Sequence, residues 1–269
     1  MLTILLAAQA ASLGANNHQV DVAMTTPTAR PSFADEFAGT AIDTATWRFD
    51  IDRNKAGWPN NELQYYSNRS HNARIEKGAL VVEARRERLS KAADWGGQNY
   101  TSARLVTHKP MGYGFYEVRA KLPCGRGGWP AIWLLPDGGT WPDAGEIDIM
   151  EMVGWDPKVI HGTIHSGAYN HRLGTQRGAQ KRVETACTAF HTYQLDWQAD
   201  AITVGVDGRG YFRAENTRPG DAAAWPFTRP YQLILNLAVG GDWGGQKGVD
   251  AGAFPMRMEV DYVRYWAAE

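Results

Sequence analysis

The sequence predicts an antiparallel β-sandwich, and three observations support this prediction. Short apolar or alternating stretches recur along the chain, for example in residues 115–122 and 233–239. Turn residues separate these stretches, and Asp207-Gly208 directly after residues 202–206 is a hairpin signal. Helical periodicity is scarce. Many short strands joined by turns, with few helices to cover a parallel sheet, favour two antiparallel sheets packed face to face.

The predicted strands follow one another along most of the chain. They comprise residues 79–84, 100–106, 115–122, 128–136, 161–165, 193–197, 202–206, 233–239 and 256–266, with a central strand inside residues 145–154. Strict alternation in residues 115–122 places four apolar side chains on one face: Tyr116, Val118, Ala120 and Leu122. Residues 58–66 mix polar and aromatic side chains, which fits either a polar groove or a surface loop.

The first 30 residues are predicted to be a signal peptide and a linker. Residues 1–11 are apolar, too short to cross a membrane with ease, and contain Ala8-Gln9-Ala10, which resembles a small-x-small cleavage site. No lysine or arginine precedes the apolar run, and the alternative is a poorly ordered N-terminus. Residues 13–30 are small and polar. We therefore expect ordered structure from about Pro31 and a single domain over residues 31–269, secreted to the periplasm or the extracellular space.

Composition narrows the partners of this chain of 269 residues. A formal net charge of −1 argues against a broad nucleic-acid-binding surface. After signal cleavage no segment is apolar enough to predict a membrane span, and nothing demands more than a monomer. The 11 tryptophans and 11 tyrosines exceed what a core needs, and exposed tryptophan is a good platform for a flat amphipathic ligand such as a sugar ring.

Two cysteines, Cys124 and Cys187, lie far apart in the sequence. Export would allow a disulfide between them. The alternative is two unrelated thiols. Neither cysteine belongs to a pattern with the spacing of zinc ligands.

The central stretch 145–154 places three carboxylates within six residues: Glu146, Asp148 and Glu151. On a helix they would fan out around the axis. On a regular strand Glu151 would fall on the apolar face, where an unpaired carboxylate is costly. A β-bulge at Met150 returns Glu151 to the face of the other two, and such bulges are common beside active sites. The alternative is an acidic edge strand with solvated charges.

The bulged strand would suit the hydrolysis of glycosidic bonds. The two glutamates would stand about four strand steps apart, roughly 13 Å between α-carbons at about 3.3 Å per step, so that their side chains lean together. Retaining glycoside hydrolysis needs two carboxyl groups about 5–5.5 Å apart, one as nucleophile and one as acid/base. A carboxylate between them would help to separate their pKa values.

Six sequence blocks, in order, resemble glycoside hydrolase family 16, and in particular its bacterial laminarinase branch. The stretch 146–151 matches the signature E-x-D-x-x-E, and the other blocks are residues 61–66, 100–104, 128–133, 161–165 and 236–241. The resemblance covers roughly residues 31–266. It implies a β-jelly roll with a concave substrate cleft and endo-hydrolysis of β-1,3-glucan with retention, without a catalytic cofactor.

The resemblance also implies roles for individual residues. Glu146 would be the nucleophile, Glu151 the acid/base and Asp148 their hydrogen-bonding partner. Trp129 and Trp133 would stack on glucose rings, although one of them could be a core residue. The remaining substrate contacts would come from Asn61, Arg104 and Asn236 to sugar hydroxyls, from His165 facing the acid/base, and from Trp243 closing one end of the cleft.

A structural calcium ion on the other side of the sandwich is a further implication of the resemblance. The matching positions are Glu36, Gly78 and Asp261, which would supply mostly backbone oxygens. Calcium takes six to eight oxygen ligands. Its role would be stability.

The resemblance leaves two alternatives to a β-1,3-glucanase. Relatives act on mixed-linkage glucan, agarose or carrageenan; Met150 argues against the lichenase branch, which lacks the extra residue, and no dense basic cluster lies near the motifs for a sulfated substrate. The second alternative is a non-catalytic β-glucan-binding protein. Such relatives typically lose the catalytic glutamates, and both are present here.

Overall fold

The computed structural model describes residues 18–268, which form strands and loops with two short 3₁₀ segments, Pro59–Asn61 and Ala251–Ala253. No helix in this range has the length and hydropathy of a membrane span. The strands are β1 Gln19–Ala23, β2 Phe33–Asp35, β3 Trp47–Phe49, β4 Gln64–Tyr66, β5 Ala73–Glu76, β6 Ala79–Ala84, β7 Tyr100–Ser102, β8 Arg104–Thr107, β9 Gly114–Lys121, β10 Gly128–Pro136, β11 Glu146–Met152, β12 Val159–His165, β13 Arg177–Arg182, β14 His191–Trp197, β15 Ala201–Val206, β16 Arg209–Glu215, β17 Tyr231–Val239 and β18 Met256–Ala267.

Two antiparallel sheets contain nearly all of these strands. The larger sheet has the order β1-β16-β15-β14-β9-β18-β6-β5, with β2 paired to β18. The smaller has the order β13-β12-β11-β10-β17-β8-β3. Strands β4 and β7 form a short parallel pair. The predicted antiparallel sandwich is confirmed, and the carboxylate strand β11 lies inside the seven-stranded sheet, where neighbours on both sides fix its register.

One apolar core fills the space between the sheets. Its members come from both sheets, as the alternation within strands requires. The four residues predicted to share a face of β9 are all buried: Tyr116, Val118, Ala120 and Leu122. Strand β17 is buried along its whole length, as its nearly continuous apolar sequence predicts.

Strand β11 contains the predicted bulge. Asp148 pairs with Thr163 and Glu151 with His161, so that Ile149 and Met150 together oppose Gly162. A side chain at Gly162 would collide with the opposite sheet, since an added Cβ would lie 2.8 Å from Val204 Cγ1. Glycine therefore lets β12 follow the bulge while it stays packed on the core.

The N-terminal prediction needs a correction. Residues 19–23 were expected to belong to an irregular linker, but they form β1 and pair with β16 at the edge of the larger sheet. Alternation is weak in this segment because most of its side chains are exposed, which explains why the pattern gave no strand signal. The predicted signal peptide and the first part of the linker, residues 1–17, lie outside the described residues.

The two cysteines form a disulfide, with α-carbons 5.7 Å apart and a sequence separation of 63. Cys124 lies between β9 and β10, and Cys187 between β13 and β14. The closed loop therefore contains β10–β13, including the carboxylate strand. Cys124 also packs against the core.

Removal of the disulfide should destabilise the fold. For a loop closed over a sequence separation of 63, the chain-entropy relation gives about 4 kcal/mol. At roughly 2–4 °C per kcal/mol for a chain of this size, we expect the Cys124→Ala/Cys187→Ala variant to melt about 10 °C below the wild type in calorimetry. Wild type in reducing agent is the matched control and should melt like the variant. Equal melting temperatures of the oxidised wild type and the variant would contradict this expectation.

Candidate active site

The three carboxylates of β11 share one face of the seven-stranded sheet. Across the strand pair, Glu146 faces His165, Asp148 faces Thr163 and Glu151 faces His161. The two glutamates thus correspond to positions four residues apart on β12, or about 13 Å between α-carbons. Ile147, Ile149, Met150 and Met152 are fully buried in the core on the other side.

Burial raises the pKa of all three carboxyl groups. The pKa of Glu146 rises to about 8 through burial and the nearby charge of Glu151. The pKa of Glu151 rises to about 7, chiefly through burial. Asp148 is 3% exposed, and burial together with both glutamates raises its pKa well above the ordinary value. At neutral pH the trio therefore carries fewer than three negative charges, and Asp148 is the group that most strongly keeps its proton.

The surroundings of the two glutamates differ in charge. Burial alone gives Glu146 the higher pKa, the reverse of what a nucleophile needs. Two neighbours act against this: the Arg104 charge and the Trp141 side chain both lower the pKa of Glu146. Beside Glu151, a hydrogen bond from Trp129 lowers the pKa, whereas the charge of Glu62 raises it. A cation thus stands on the Glu146 side and an anion on the Glu151 side.

Aromatic side chains surround the Glu151 end. Trp129 Nε1 donates a hydrogen bond to Glu151 Oε1 at 3.0 Å. Trp243 packs edge-on against both Trp129 and His161, with ring centroids 5.4 and 4.9 Å apart. Trp129 and Trp243 are both partly exposed. Trp129 therefore orients a carboxyl group, a role that its sequence position alone did not reveal, and Trp243 lies at this end as predicted.

Trp133 stands beside Asp148, its partner across β10 and β11. Trp133 Nε1 donates to Asn236 Oδ1 at 2.7 Å, and Asn236 Nδ2 donates to Tyr66 Oη at 3.0 Å. Asn236 is 6% exposed. The structure therefore places Asn236 as the support that orients Trp133, where direct contact with sugar hydroxyls was expected, while Trp133 keeps part of its indole exposed.

Arg104 also has protein partners. Its Nε lies 2.9 Å from Asp50 Oδ2, and its guanidinium lies 4.8 Å from the centroid of Trp133 and 5.5 Å from that of Trp58. The ion pair and the two aromatic contacts hold the cation on one side of the site. Its predicted contact with sugar hydroxyls stays a prediction.

The partner of His165 was predicted wrongly. His165 was expected to face the acid/base, but it faces Glu146, with Nε2 3.7 Å from Glu146 Oε1 and 3.5 Å from Asp148 Oδ2. Antiparallel pairing is the reason, because the end of β12 must meet the beginning of β11. Burial and the neighbouring His171 lower the pKa of His165 to about 3, so that this imidazole is neutral at neutral pH.

Two side chains near the carboxylates were missed in the sequence. Trp141, in the loop before β11, packs on His171 with centroids 4.9 Å apart, and Arg172 lies 4.5 Å over its ring. This cluster borders the Glu146 end. The available signal was its position five residues before Glu146 in a Gly- and Pro-containing loop. Glu62 was missed although it follows Asn61 directly, because a carboxylate in a polar loop has no pattern of its own.

Asn61 is exposed and lies in the loop before β4. Its Nδ2 donates to Asp242 Oδ1 at 2.8 Å, which ties this loop to the turn that carries Trp243. The amide therefore stabilises the wall at the Glu151 end, and any contact with sugar hydroxyls remains a prediction.

The side chains of the predicted calcium set are engaged elsewhere. Glu36 accepts two hydrogen bonds from Arg264, both at 2.8 Å, and Asp261 pairs with Arg119. Gly78 lies in the tight turn between β5 and β6 with φ +76°. With both carboxylates bound to guanidinium groups, the set does not present the free oxygen ligands that calcium requires, and the calcium prediction stays untested.

Glu146, Asp148 and His165 form a group whose potential ligand atoms lie within 4.8 Å of one another. Within residues 18–268 this group fits a cation by geometry alone. The same atoms are the ones that proton chemistry on β11 would use.

The chain matches known proteins over most of its length. Residues 56–264 match the profile of the family described as glycosyl hydrolases family 16. The β-glucanase of Rhodothermus marinus is 50% identical over 247 residues, 87% of this chain and 84% of that protein. The laminarinase structure from Rhodothermus marinus has a TM-score of 0.82 and 50% identity, covering 89% of this chain and 98% of that one.

A crystal structure of SCLam, a non-specific endo-β-1,3(4)-glucanase of the same family, is similarly close. The TM-score is 0.90 at 51% identity, covering 93% of this chain and 100% of that one, and the crystal presents 1,3-β-D-cellobiosyl-glucose at the active site. The predicted jelly-roll sandwich is therefore confirmed by structure and by relatives. By the extent and identity of these matches, the chain belongs to glycoside hydrolase family 16.

Proposed function

We propose that this protein is a secreted, retaining endo-β-1,3-glucanase. The observation that supports the proposal best is the bulged strand β11, which directs Glu146, Asp148 and Glu151 to one face beside partly exposed tryptophans. A polysaccharide chain would lie over this face, with sugar rings against the tryptophans. The disulfide between Cys124 and Cys187 is consistent with export to an oxidising compartment.

In the first proposed step, Glu146 attacks the anomeric carbon of a bound glucose unit. The glycosidic C–O bond breaks as Glu151 donates its proton to the leaving oxygen, and a covalent glycosyl–Glu146 ester forms. Trp129 orients the Glu151 carboxyl through its hydrogen bond. Arg104 and Trp141 favour the ionised form of Glu146 that the attack requires.

In the second step, Glu151 is ionised and acts as a base. It takes a proton from a water molecule whose oxygen attacks the same anomeric carbon, and the bond to Glu146 breaks. Two inversions at one carbon give net retention. Asp148, with its raised pKa, holds a proton between the glutamates and can donate a hydrogen bond to Glu146. The reaction uses only carboxyl groups of the chain and water, and needs no cofactor.

A second candidate is a broader specificity for β-1,3(4)-glucans. SCLam, with 51% identity, is described as non-specific and was crystallised with a mixed β-1,3/β-1,4 product. The aromatic contacts proposed here recognise sugar faces, which do not distinguish linkages strictly. We place β-1,3-glucan first because the sequence blocks follow the laminarinase branch.

Hydrolysis of a substrate panel tests the proposal. We expect reducing-end release from laminarin with the highest kcat/KM, slower release from mixed-linkage β-glucan, and none from agarose or carrageenan. NMR of the first products should show the β-anomer before mutarotation, because two displacements preserve configuration.

Three results would change the assignment. Faster hydrolysis of mixed-linkage glucan than of laminarin would favour the broader specificity. An α-anomer as first product would exclude the retaining mechanism. Laminarin binding without any hydrolysis would support the glucan-binding alternative.

A further inference from the structure

Glu62 is a carboxylate near the catalytic strand to which the proposed mechanism gives no role. It lies between the 3₁₀ segment Pro59–Asn61 and β4, and its backbone pairs with Gly240 just after β17. The next residue continues the attachment, since Leu63 N donates to Val239 O at 2.9 Å. The position of Glu62 is therefore fixed by the seven-stranded sheet, although its segment is a loop.

The Glu62 side chain is also held in place. Gln64 Nε2 donates to Glu62 Oε2 at 2.7 Å, and Gln64 Oε1 accepts from Val239 N at 2.8 Å. Burial raises the pKa of Glu62, and the bond from Gln64 acts against this rise. Arg104, the cation on this side, is paired with Asp50. Glu62 thus brings a negative charge that the surrounding structure retains without a direct cationic partner in residues 18–268.

A single glycine connects Glu62 with the acid/base. An added Cβ at Gly241 would lie 3.3 Å from Glu62 Cγ and 3.3 Å from Trp129 Cζ3, so both side chains border the same point. The other edge of the Trp129 indole donates to Glu151. Glu62, Trp129 and Glu151 therefore form a continuous row at one end of the site.

The other groups around Glu151 do not supply the same effect. Glu146 and Asp148 lie on its own strand, and Asp148 retains its proton. His161, across β12, has a pKa lowered by burial to about 4, which makes it neutral during catalysis. Tyr211, beneath the strand, has a pKa raised well above the ordinary value by burial and is neutral as well. Trp129, on β10, has no titratable group.

We propose that Glu62 is a positioning residue that keeps Glu151 protonated and so sets the alkaline limit of hydrolysis. A negative charge near a carboxyl group opposes its ionisation. Loss of activity at high pH reports the deprotonation of the general acid. This inference rests on the proposed function, because it needs Glu151 to act as the acid.

The test is the pH dependence of kcat/KM on laminarin for the wild type and Glu62→Gln. Glutamine keeps the size of the side chain and an oxygen that can accept from Gln64. We expect the alkaline limb of the variant to move to lower pH while the acid limb stays in place. At one pH unit above the wild-type alkaline midpoint, kcat/KM should fall about threefold below the wild type, with values within about twofold at the optimum.

Two controls make the outcome specific. Glu259→Gln replaces a partly buried glutamate of the larger sheet that pairs with Lys121 at 2.9 Å, and its pH profile should match the wild type. Glu62→Asp keeps the charge and should move the limb less than Glu62→Gln. Melting temperatures exclude unfolding as the cause.

An unmoved alkaline limb in Glu62→Gln overturns the inference, whether kcat/KM is unchanged or is lower by the same factor at every pH. The wild type separates this result from a failure of the proposed function. If wild type hydrolyses no β-glucan of the panel, the proposed function fails, and the role of Glu62 in it fails as well. If wild type is active and only the limb stays in place, the inference alone is wrong.

Discussion

Glu146→Gln should abolish hydrolysis of laminarin. The variant keeps the volume of the side chain but removes the oxygen that would form the bond to the sugar. Loss of the nucleophile should cost several kcal/mol of barrier, and at about 1.36 kcal/mol per decade the rate should drop by thousands-fold or more. Reducing-sugar release by both proteins, side by side, measures this directly.

The same variant should fold at least as stably as the wild type. Glu146 has a pKa raised to about 8 by burial and by the charge of Glu151. A carboxyl group with a raised pKa in the folded state makes folding less favourable as pH rises from its unfolded value toward the folded one, and glutamine removes this cost. We therefore expect a melting temperature at pH 7 that is equal or higher, a common relation between activity and stability.

An exposed glutamate provides the control for this prediction. Glu215→Gln, at the end of β16, changes a side chain that is 65% exposed and should leave kcat and KM unchanged. If Glu146→Gln retains more than a few per cent of wild-type activity in a preparation free of wild-type protein, Glu146 is not the nucleophile. The search would then move to Asp148 and Glu151.

The central strand could be predicted from residues alone because the physical constraint on it is severe. Three carboxylates and four large apolar side chains must separate to opposite faces, and a period of two cannot achieve this without an extra residue. The observed register, with two residues of β11 opposite Gly162, is the consequence. Strands with strict alternation, such as β9, were predictable for the same reason.

Short strands and long-range side-chain partners were not predictable in this way. Strands β3 and β4 have three residues each, too few for a periodic signal, and β1 is exposed at an edge. The partners of Trp133 and Arg104 depend on which loops the sheet brings together: Trp133 and Asn236 are 103 residues apart. Residue type could propose a tryptophan for sugar stacking, but it could not indicate that Trp129 binds a carboxyl group.

The assignment of His165 failed for a reason that register could have corrected. Both histidines of β12 lie on the face of the carboxylates, as predicted from alternation. A connection of six residues between β11 and β12 makes the strands antiparallel neighbours, so the first histidine must meet the last carboxylate. The pairing of His161 with Glu151 and of His165 with Glu146 follows.

Glu151→Ala should show different losses on different substrates. On laminarin the leaving sugar oxygen needs a proton, so removal of the acid should lower kcat/KM by about 10²–10⁴-fold. A dinitrophenyl β-1,3-linked glucoside has a leaving group that departs without a proton. With this substrate we expect rapid release of about one equivalent of dinitrophenol and then slow turnover, because water lacks its base in the second step.

Azide separates the roles of the two glutamates. It attacks without needing a base, so it should accelerate turnover of the dinitrophenyl substrate by Glu151→Ala and give a β-glycosyl azide, since the sugar is then attached to Glu146 from the α-face. Acceleration cannot occur in this way in Glu146→Gln, because no glycosyl–enzyme ester forms there. A Glu151→Ala variant that ignores azide would remove Glu151 from the acid/base role, and an α-glycosyl azide would contradict the double displacement. The combination of unequal losses and a β-azide thus tests the two-carboxylate mechanism on the bulged strand as a whole.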